Sequence, residues 1–418
     1  MIQPRFILSF FFILCNSWLA SQEVSEIRFE GLSSMDPAFL QNYINLDIHS
    51  LSTDDIEQAR DRLNRLNGIL NNKHRLETTD SSSILVFEIE EQGSLKPILG
   101  LAGIRDNFWV QLGGIEFNLN GKNQTLLGYY LNNNGRHNYK LFFENDRFRG
   151  GNWGYGIDVQ RIATEEPLYF ESRTENYYYT NVAAGGLLNR YIGLNTKGVL
   201  GVTLFNEEYR IINENNVSQE IPNIVDKTKV LGKIGLNYNQ LMYDYFYRGG
   251  FIWDLLFQQV YTPEDNDLFL SLSFESRNFW RVKNYFNIAT RLKVAMATNK
   301  ASPFAPFTLD SNFNIRGVGN RVDRGTGQIV LNTEIRTTLW NSFPWAIQGI
   351  TFVDSGTWRN PGGPLSQLWD PDQFQLFSGG GIRIIYTRWL EAVLRIDYGI
   401  DVLNRENKGV VIGLGQYF

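Results

Sequence analysis

The sequence predicts a transmembrane β-barrel of about 16 antiparallel strands, preceded by one small α+β domain. Three observations carry this prediction. The first 21 residues contain a short apolar run, residues 22–92 show the helix and strand patterns of a small mixed domain, and residues 93–418 alternate between apolar and polar over strand lengths. At 418 residues the chain is long enough for more than one domain.

Residues 1–21 have the composition of a secretory signal peptide. Arg5 is followed by an apolar run over residues 6–14, and cleavage is expected near Ser21–Gln22. The run is shorter than the roughly 20 apolar residues of a membrane-spanning helix. The only cysteine, Cys15, lies inside this segment, so the mature chain is expected to contain no disulfide.

Residues 22–92 carry the pattern of a small α+β domain. Ser52 is a good helix N-cap, and Asp54 and Asp55 follow in the first turn, where the helix dipole favours negative charge. Apolar side chains recur every three or four residues after them, which predicts one buried helix face and a stop at Gly68. The predicted order is strand, helix, helix, strand, strand, over Val24–Phe29, Ala38–Ile44, Ser52–Leu66, Lys73–Thr78 and Ile84–Glu90.

Residues 93–418 alternate in strand-length segments separated by clusters of Gly, Asn, Asp and Pro. One face of each segment is apolar and the other carries charges, which a barrel lumen accommodates and the core of a soluble sandwich does not. About 325 residues at about 20 per strand and connector give about 16 strands. Aromatic runs such as Tyr177–Tyr179 fit the girdles at the membrane surfaces. In one segment Ile329, Leu331, Thr333 and Ile335 alternate with Gln328, Asn332, Glu334 and Arg336.

The composition argues against other classes of protein. The net charge is −5 and the pI about 5.5, so no nucleic-acid partner is expected. Gly-x-Ser-x-Gly, His-Glu-x-x-His and phosphate-loop patterns are missing, and the three histidines, His49, His74 and His137, are scattered. We therefore expect no enzyme, no cofactor and no metal site. The mean hydropathy of −0.26 suits a barrel, whose wall residues alternate between lipid and lumen.

Three short motifs lie in the last quarter of the chain. The first is a turn-rich segment with an arginine, the second is a Phe-x-Asp-x-Gly pattern in a strand, and the third is an aromatic pair at residues 417 and 418. Alternation places the three motif residues of the second on one strand face, so its aspartate is expected to face the lumen. The motifs are Arg316, Gly317 and Val318; Phe352, Asp354 and Gly356; and Tyr417 and Phe418.

These motifs resemble those of the bacterial surface antigen superfamily, in which POTRA domains precede an outer-membrane β-barrel. The superfamily includes BamA-type insertases, TamA-type translocation modules and two-partner secretion transporters. There an Arg-Gly-aromatic tip lies on a loop folded back into the lumen. The resemblance implies that Arg316 pairs with Asp354, and Glu334 on the preceding strand is a possible second acceptor. Val318 replaces the usual aromatic residue, which puts its stacking contact in question.

The N-terminal region resembles a single POTRA domain. The resemblance rests on Ile27–Gly31, the Ser52–Leu66 helix and the closing segment Val86–Glu91. It implies a periplasmic domain that contacts periplasmic or lipoprotein partners, and the alternative is an unrelated small α+β domain. After it, Asn118–Gly121 resembles the Asn-Leu-x-Gly stretch early in the barrels of this family.

Glycines lie in the first and last predicted strands. Gly413 and Gly415 lie in the last strand, and Gly100 and Gly103 near the first. Because glycine weakens a strand, we expect a weak seam between these strands that opens sideways and pairs with another chain. The equal alternative is that these glycines relieve crowding in the lumen. Alternation places Val410, Ile412, Leu414 and Phe418 on one face, and Val411, Gly413, Gly415 and Tyr417 on the other.

The family resemblance implies a protein of the bacterial outer membrane that inserts or translocates proteins. Its expected partners are outer-membrane lipid and client outer-membrane or surface proteins. A passive channel or a lipid-handling barrel is the alternative, because the central assembly insertases carry several POTRA domains. No second POTRA domain and no plug helix are recognised, so a two-partner secretion transporter is not expected.

Overall fold

The structure is a computed structural model, and it describes residues 24–78, 83–102, 109–133, 135–170, 174–244, 246–283, 285–298, 307–309, 314–318, 323–389 and 392–418. The expected signal peptide (residues 1–21) and Gly103 lie outside the described residues. Within these ranges, no helix is both long and apolar enough to cross a membrane.

The N-terminal domain is a three-stranded sheet covered by two helices. Its core consists of fully buried apolar side chains, among them Leu40, Ile44, Leu63, Leu85 and Phe87. The central strand β3 pairs in parallel with β1 and antiparallel with β2. The elements are β1 (Val24–Glu30), α1 (Pro37–Ile44), α2 (Thr53–Leu63), β2 (Ile69–Thr78) and β3 (Ser83–Glu91).

Local hydrogen bonds fix both ends of α2, from side chains at the N-terminus and from the backbone at the C-terminus. Ser52 and Asp55 form the reciprocal pair of hydrogen bonds of a capping box at the N-terminus. The predicted end of this helix is wrong, since it stops at Leu63 and not near Gly68. Asn64 is the C-cap, and single turns follow it up to the start of β2.

Sixteen long antiparallel strands form a closed barrel, with β22 next to β4, which confirms the predicted strand number. The short β12 continues β11 along β13, and β16 and β17 form a separate ribbon. The strands are β4 (Leu95–Ala102), β5 (Trp109–Leu119), β6 (Gln124–Asn133), β7 (Arg136–Asn145), β8 (Trp153–Tyr169), β9 (Thr174–Ile192), β10 (Thr196–Ile211), β11 (Ile224–Asn239), β12 (Met242–Asp244), β13 (Tyr247–Thr262), β14 (Asp267–Lys283), β15 (Phe286–Ala297), β16 (Phe307–Leu309), β17 (Asp323–Gly325), β18 (Gly327–Ser342), β19 (Trp345–Arg359), β20 (Phe374–Tyr386), β21 (Val393–Asp401) and β22 (Lys408–Leu414).

The alternation of side chains along the strands separates an apolar exterior from a polar interior. On β18, Leu331 is 46% exposed, whereas Asn332 and Glu334 are fully buried. The same pattern on β15 leaves Leu292 outside and buries Arg291. An apolar outer face around a charged interior is the arrangement of a barrel that spans a membrane.

The aromatic run at the start of β9 does not form the predicted girdle. Tyr177 is fully buried and donates a hydrogen bond from its hydroxyl to the backbone oxygen of Pro222. The ring of Tyr179 contacts that of Tyr209 at 4.7 Å, and only Tyr178 points outward. The prediction failed because the inward residues at these strand ends pack into an apolar cluster of their own.

The N-terminal domain rests on the turns at one end of the barrel. Arg65 donates to the side-chain oxygen of Asn195 at 2.6 Å, in the turn between β9 and β10. The guanidinium of Arg147, in the turn after β7, lies 5.2 Å from the Tyr43 ring of α1 and 3.6 Å from the Tyr191 ring of β9. This arginine therefore joins the domain and the barrel through two cation–π contacts.

A backbone contact explains the Asn118–Gly121 stretch. The amide of Asp36 donates to the backbone oxygen of Gly121 at 3.0 Å. Gly121 has a φ of +72°, and a Cβ there would lie 2.3 Å from the backbone oxygen of Ser34. Only glycine satisfies both requirements, so this stretch belongs to the junction between the domain and the barrel.

Glu91, at the end of β3, holds the segment that joins β1 to α1. Its carboxylate accepts hydrogen bonds from the backbone amides of Ser33 (2.9 Å), Ser34 (2.8 Å) and Met35 (3.0 Å), and from both serine hydroxyls. Burial alone would raise the pKa of this carboxyl. The hydrogen bonds from Ser34, Met35 and Ser33 outweigh burial, so the pKa lies below its ordinary value.

Replacing Glu91 with glutamine is expected to loosen this segment by about 1.5–3 kcal/mol, because the hydrogen bonds lose their charge. Since the folded pKa is depressed, the stabilisation is present above the unfolded pKa of about 4.3 and is lost as pH falls through the lower, folded pKa. Hydrogen exchange at residues 33–35 measures both effects. At pH 7 the backbone amides of residues 33–35 should exchange faster in the Glu91→Gln variant than in the wild type. The loss of protection that acid causes in the wild type by protonating Glu91 should be absent from this variant. Glu26→Gln, at an exposed ion pair with Arg28, is the control, and equal protection in wild type and Glu91→Gln would contradict the assignment.

Candidate functional site

The connection between β15 and β18 returns into the barrel. Its strands β16 and β17 pair as a short ribbon, and residues 314–318 contact the inner wall of the barrel. Asn332 of β18 donates to the backbone oxygen of Asn314 at 2.7 Å and holds this segment against the wall. Arg316, within the segment, is fully buried.

Arg316 is bound by two carboxylates of the wall. Its Nε and Nη2 donate to the two oxygens of Asp354 at 2.8 and 2.9 Å, a bidentate pair, and its backbone amide adds a third bond at 3.0 Å. Its Nη1 donates to Glu334 on β18 and lies 4.0 Å from Asp397 on β21. The structure thus brings together the arginine, the aspartate and the second acceptor singled out in the sequence.

Two further buried arginines bind Glu334 and Asp397. Arg336 donates to Glu334 at 2.6 Å, and Arg383 donates to both oxygens of Asp397 at 2.6 and 3.1 Å. With Asp354 and Arg316, three carboxylates and three guanidiniums form one continuous network across β18–β21. Charges removed from water are stable only when they are paired, and each charge of this network has a partner of opposite sign.

Two aromatic rings cover the guanidinium of Arg316. Its central carbon lies 3.7 Å from the ring centre of Phe352 and 4.4 Å from that of Tyr417. Val318, which stands where the similar motif has an aromatic residue, packs instead in an apolar cluster around Ile315. The stacking contact is therefore made by residues of β19 and of the segment after β22.

The backbone at the loop tip fits between glycines of the last two strands. Gly317 has a φ of +96°, and a Cβ on it would lie 2.8 Å from the backbone oxygen of Gly399 on β21. A Cβ on Gly399 would lie 2.4 Å from the Arg316 backbone oxygen, and one on Gly409 of β22 would lie 2.8 Å from that of Gly317. These distances exclude a side chain at all three positions without movement of the backbone.

The remaining residues of the motifs take structural positions. Gly356 is buried on the Asp354 face of β19 and pairs in register with Val330. A Cβ on Gly413 would lie 2.6 Å from Nε of Arg395, which favours the explanation that this glycine relieves crowding. Gly415 has a φ of +86°, in the region that favours glycine.

The prediction that Phe418 continues the outer face of the last strand is wrong. Strand β22 ends at Leu414, and Phe418 is only 8% exposed, in an apolar cluster with Phe279 and Ala289. The turn at Gly415 carries the chain inward and ends the alternation. Tyr417 and Phe418 therefore both lie inside the barrel.

Sequence reasoning missed the contributions of Arg336, Arg383, Asp397 and Tyr417. Alternation put Arg336 on the charged face of its strand without naming its partner, and Arg383 and Asp397 were not singled out. Alternation also gave Tyr417 a strand face but not its contact with Arg316. Among the described residues, no group of His, Cys, Asp or Glu side chains could hold a metal ion.

Solved structures with a similar fold cover most of this chain. BamA from Haemophilus ducreyi lacking POTRA domains 1–3 is 15% identical with a TM-score of 0.56, over 94% of this chain and 83% of that one. CdiB from Escherichia coli is 12% identical with a TM-score of 0.65, over 93% and 75%. CdiB from Acinetobacter baumannii is 13% identical with a TM-score of 0.59, over 94% and 74%. The chain therefore has the barrel fold of BamA and CdiB. Its sequence matches no protein-family model and no curated protein.

Removing one partner of the buried pair is expected to destabilise the barrel strongly. Asp354→Leu leaves the Arg316 charge without its bidentate acceptor, at a cost of about 3–5 kcal/mol. The double variant Arg316→Met, Asp354→Leu should recover part of this loss, because neither charge is then left unpaired. Thermal unfolding in detergent measures these differences.

The control is Arg210→Ala, which removes an exposed ion pair with Glu208. Exposed pairs contribute about 0–1 kcal/mol, so this variant should unfold almost like the wild type. Equal stability of Asp354→Leu and the Arg210→Ala control would contradict the energetic role given to the buried pair.

Proposed function

We propose that this protein inserts or translocates client proteins at the bacterial outer membrane. The observation that carries the proposal is the buried loop inside the barrel. A passive channel needs a water-filled lumen, whereas here Arg316, Glu334 and Asp354 are fully buried against one another. Because such a loop occupies the lumen, we expect the wall of the barrel, and not its lumen, to act on the client.

The junction of β22 with β4 is the expected site at which the wall opens. Strands β21 and β22 span only 9 and 7 residues, whereas β8 and β9 span 17 and 19. A strand needs about 9–11 residues to cross a bilayer, so β22, which lies next to β4, has fewer residues than a full crossing needs. Short strands have few ladder hydrogen bonds to break, and an opened edge can pair with a strand of a client.

The N-terminal domain is proposed to be a POTRA domain in the periplasm. Its strand, helix, helix, strand, strand order and its place before the barrel support this assignment. There it would receive clients or lipoprotein partners, while outer-membrane lipid surrounds the barrel. No catalytic step is proposed, and the work of insertion would come from the folding of the client.

Depletion of the protein in its native host is expected to change the outer-membrane proteome. Quantitative proteomics of isolated outer membranes measures the effect, with re-expression of the wild-type chain as the control. Loss of many barrel proteins would indicate a general insertase, and loss of one or two surface proteins a dedicated translocase. An unchanged proteome would reject both and favour the passive channel or the lipid-handling barrel.

Locking the junction of β22 and β4 should abolish activity in the same assay. A cysteine at Leu99 of β4 can be combined in turn with cysteines at Val410, Ile412 and Leu414 of β22, all of which point outward. The control crosslink joins Leu255 and Phe274, register partners in β13 and β14. Full activity with a closed junction would show that the protein works without sideways opening.

A further inference from the structure

The four residues after β22 are bound inside the barrel by arginines. Arg316 contacts the Tyr417 ring, and Arg395 of β21 lies 4.9 Å from the centre of the same ring. Arg336 of β18 donates to the backbone oxygen of Phe418 at 3.2 Å. The segment Gly415–Phe418 is thus held in place by groups from the loop and from two strands.

The ring of Tyr417 contacts a part of the Arg316 guanidinium that the carboxylates do not cover. Asp354 and Glu334 take the N–H groups around the edge of the guanidinium, and the rings of Phe352 and Tyr417 lie over it. A desolvated cation–π contact of this kind stabilises the positions of both side chains. Tyr417 therefore positions Arg316 as well as being held by it.

The loop also contacts the N-terminal end of β22. Gly409, at the start of the strand, contacts the backbone of Gly317, while Tyr417 follows the end of the strand. The two contacts lie on opposite ends of the same seven-residue strand and belong to adjacent loop residues, Arg316 and Gly317. Movement of β22 away from the wall would disturb both.

We propose that residues 415–418 are an internal latch through which the lumen loop holds the last strand of the barrel. While Arg316 is bound to the wall, its contact with Tyr417 holds the C-terminal end of β22 against the loop. The close approach of Gly317 to Gly409 holds the N-terminal end of β22. Release of the loop and release of the last strand are then one coupled event. The latch itself follows from these contacts; only its use in opening the junction rests on the proposed function.

Hydrogen exchange of the full chain in detergent tests the coupling. Tyr417→Leu keeps an apolar side chain but removes the aromatic face, and it should raise exchange about tenfold in both residues 314–318 and β22. Tyr417→Phe keeps the ring over the guanidinium and should raise exchange less than Tyr417→Leu does. Faster exchange in only one of the two segments, or in neither, would overturn the latch.

A second pair of variants tests the other end without touching Tyr417. Gly409→Ala places a Cβ 2.8 Å from the Gly317 oxygen and should raise exchange in both residues 314–318 and 415–418. Gly232→Ala is the matched control, because a Cβ there meets nothing within 4 Å. No change in 415–418 with Gly409→Ala would count against the coupling. If exchange is coupled but depletion leaves the proteome unchanged, the latch stands and the proposed function falls; uncoupled exchange removes the latch whatever the proteome shows.

Discussion

A charge that cannot be neutralised inside the barrel is the constraint on which the lumen depends. Arg316 stays protonated at any physiological pH, and its removal from water costs several kcal/mol unless acceptors are fixed around it. Strands β18, β19 and β21 supply Glu334, Asp354 and Asp397, and Glu334 and Asp397 are shared with arginines on β18 and β20. A slip of one residue in any of these strands would turn the charges toward lipid, so the network also fixes the register of the wall.

The packing of the loop and side chains in the lumen also determines which positions require glycine. Gly317, Gly399 and Gly409 let the loop backbone approach the last two strands, and Gly413 leaves room for the Arg395 side chain. Gly399, Gly409 and Gly413 lie in β21 and β22, the short strands of the last hairpin. Glycine at these positions therefore serves the packing of the lumen.

Alternation predicted the barrel, its strand number and the inward direction of Asp354, whereas the pairing of Arg316 with Asp354 was implied by the resemblance of the motifs to those of a known superfamily. The sequence reasoning failed for Phe418, where alternation was carried beyond the end of β22, and for Tyr177, where an aromatic run was interpreted as a girdle although β9 turns Tyr177 inward. The turn at Gly415 and the cluster around Tyr177 depend on contacts between residues far apart in the chain. The role of Glu91 was missed for the same reason, since its hydrogen-bond donors lie 56 to 58 residues away.

The contacts of Arg316 differ in strength from one part of the wall to another. Its bidentate bond to Asp354 and its bond to Glu334 lie on β18 and β19, within the long strands. Its contacts toward the last hairpin are a 4.0 Å approach to Asp397 and the ring of Tyr417. Charge-assisted hydrogen bonds are stronger than these longer contacts. The loop is therefore held mainly by β18 and β19. In the proposed opening, the last hairpin would move away from this wall, and Tyr417 would then have to leave the guanidinium of Arg316.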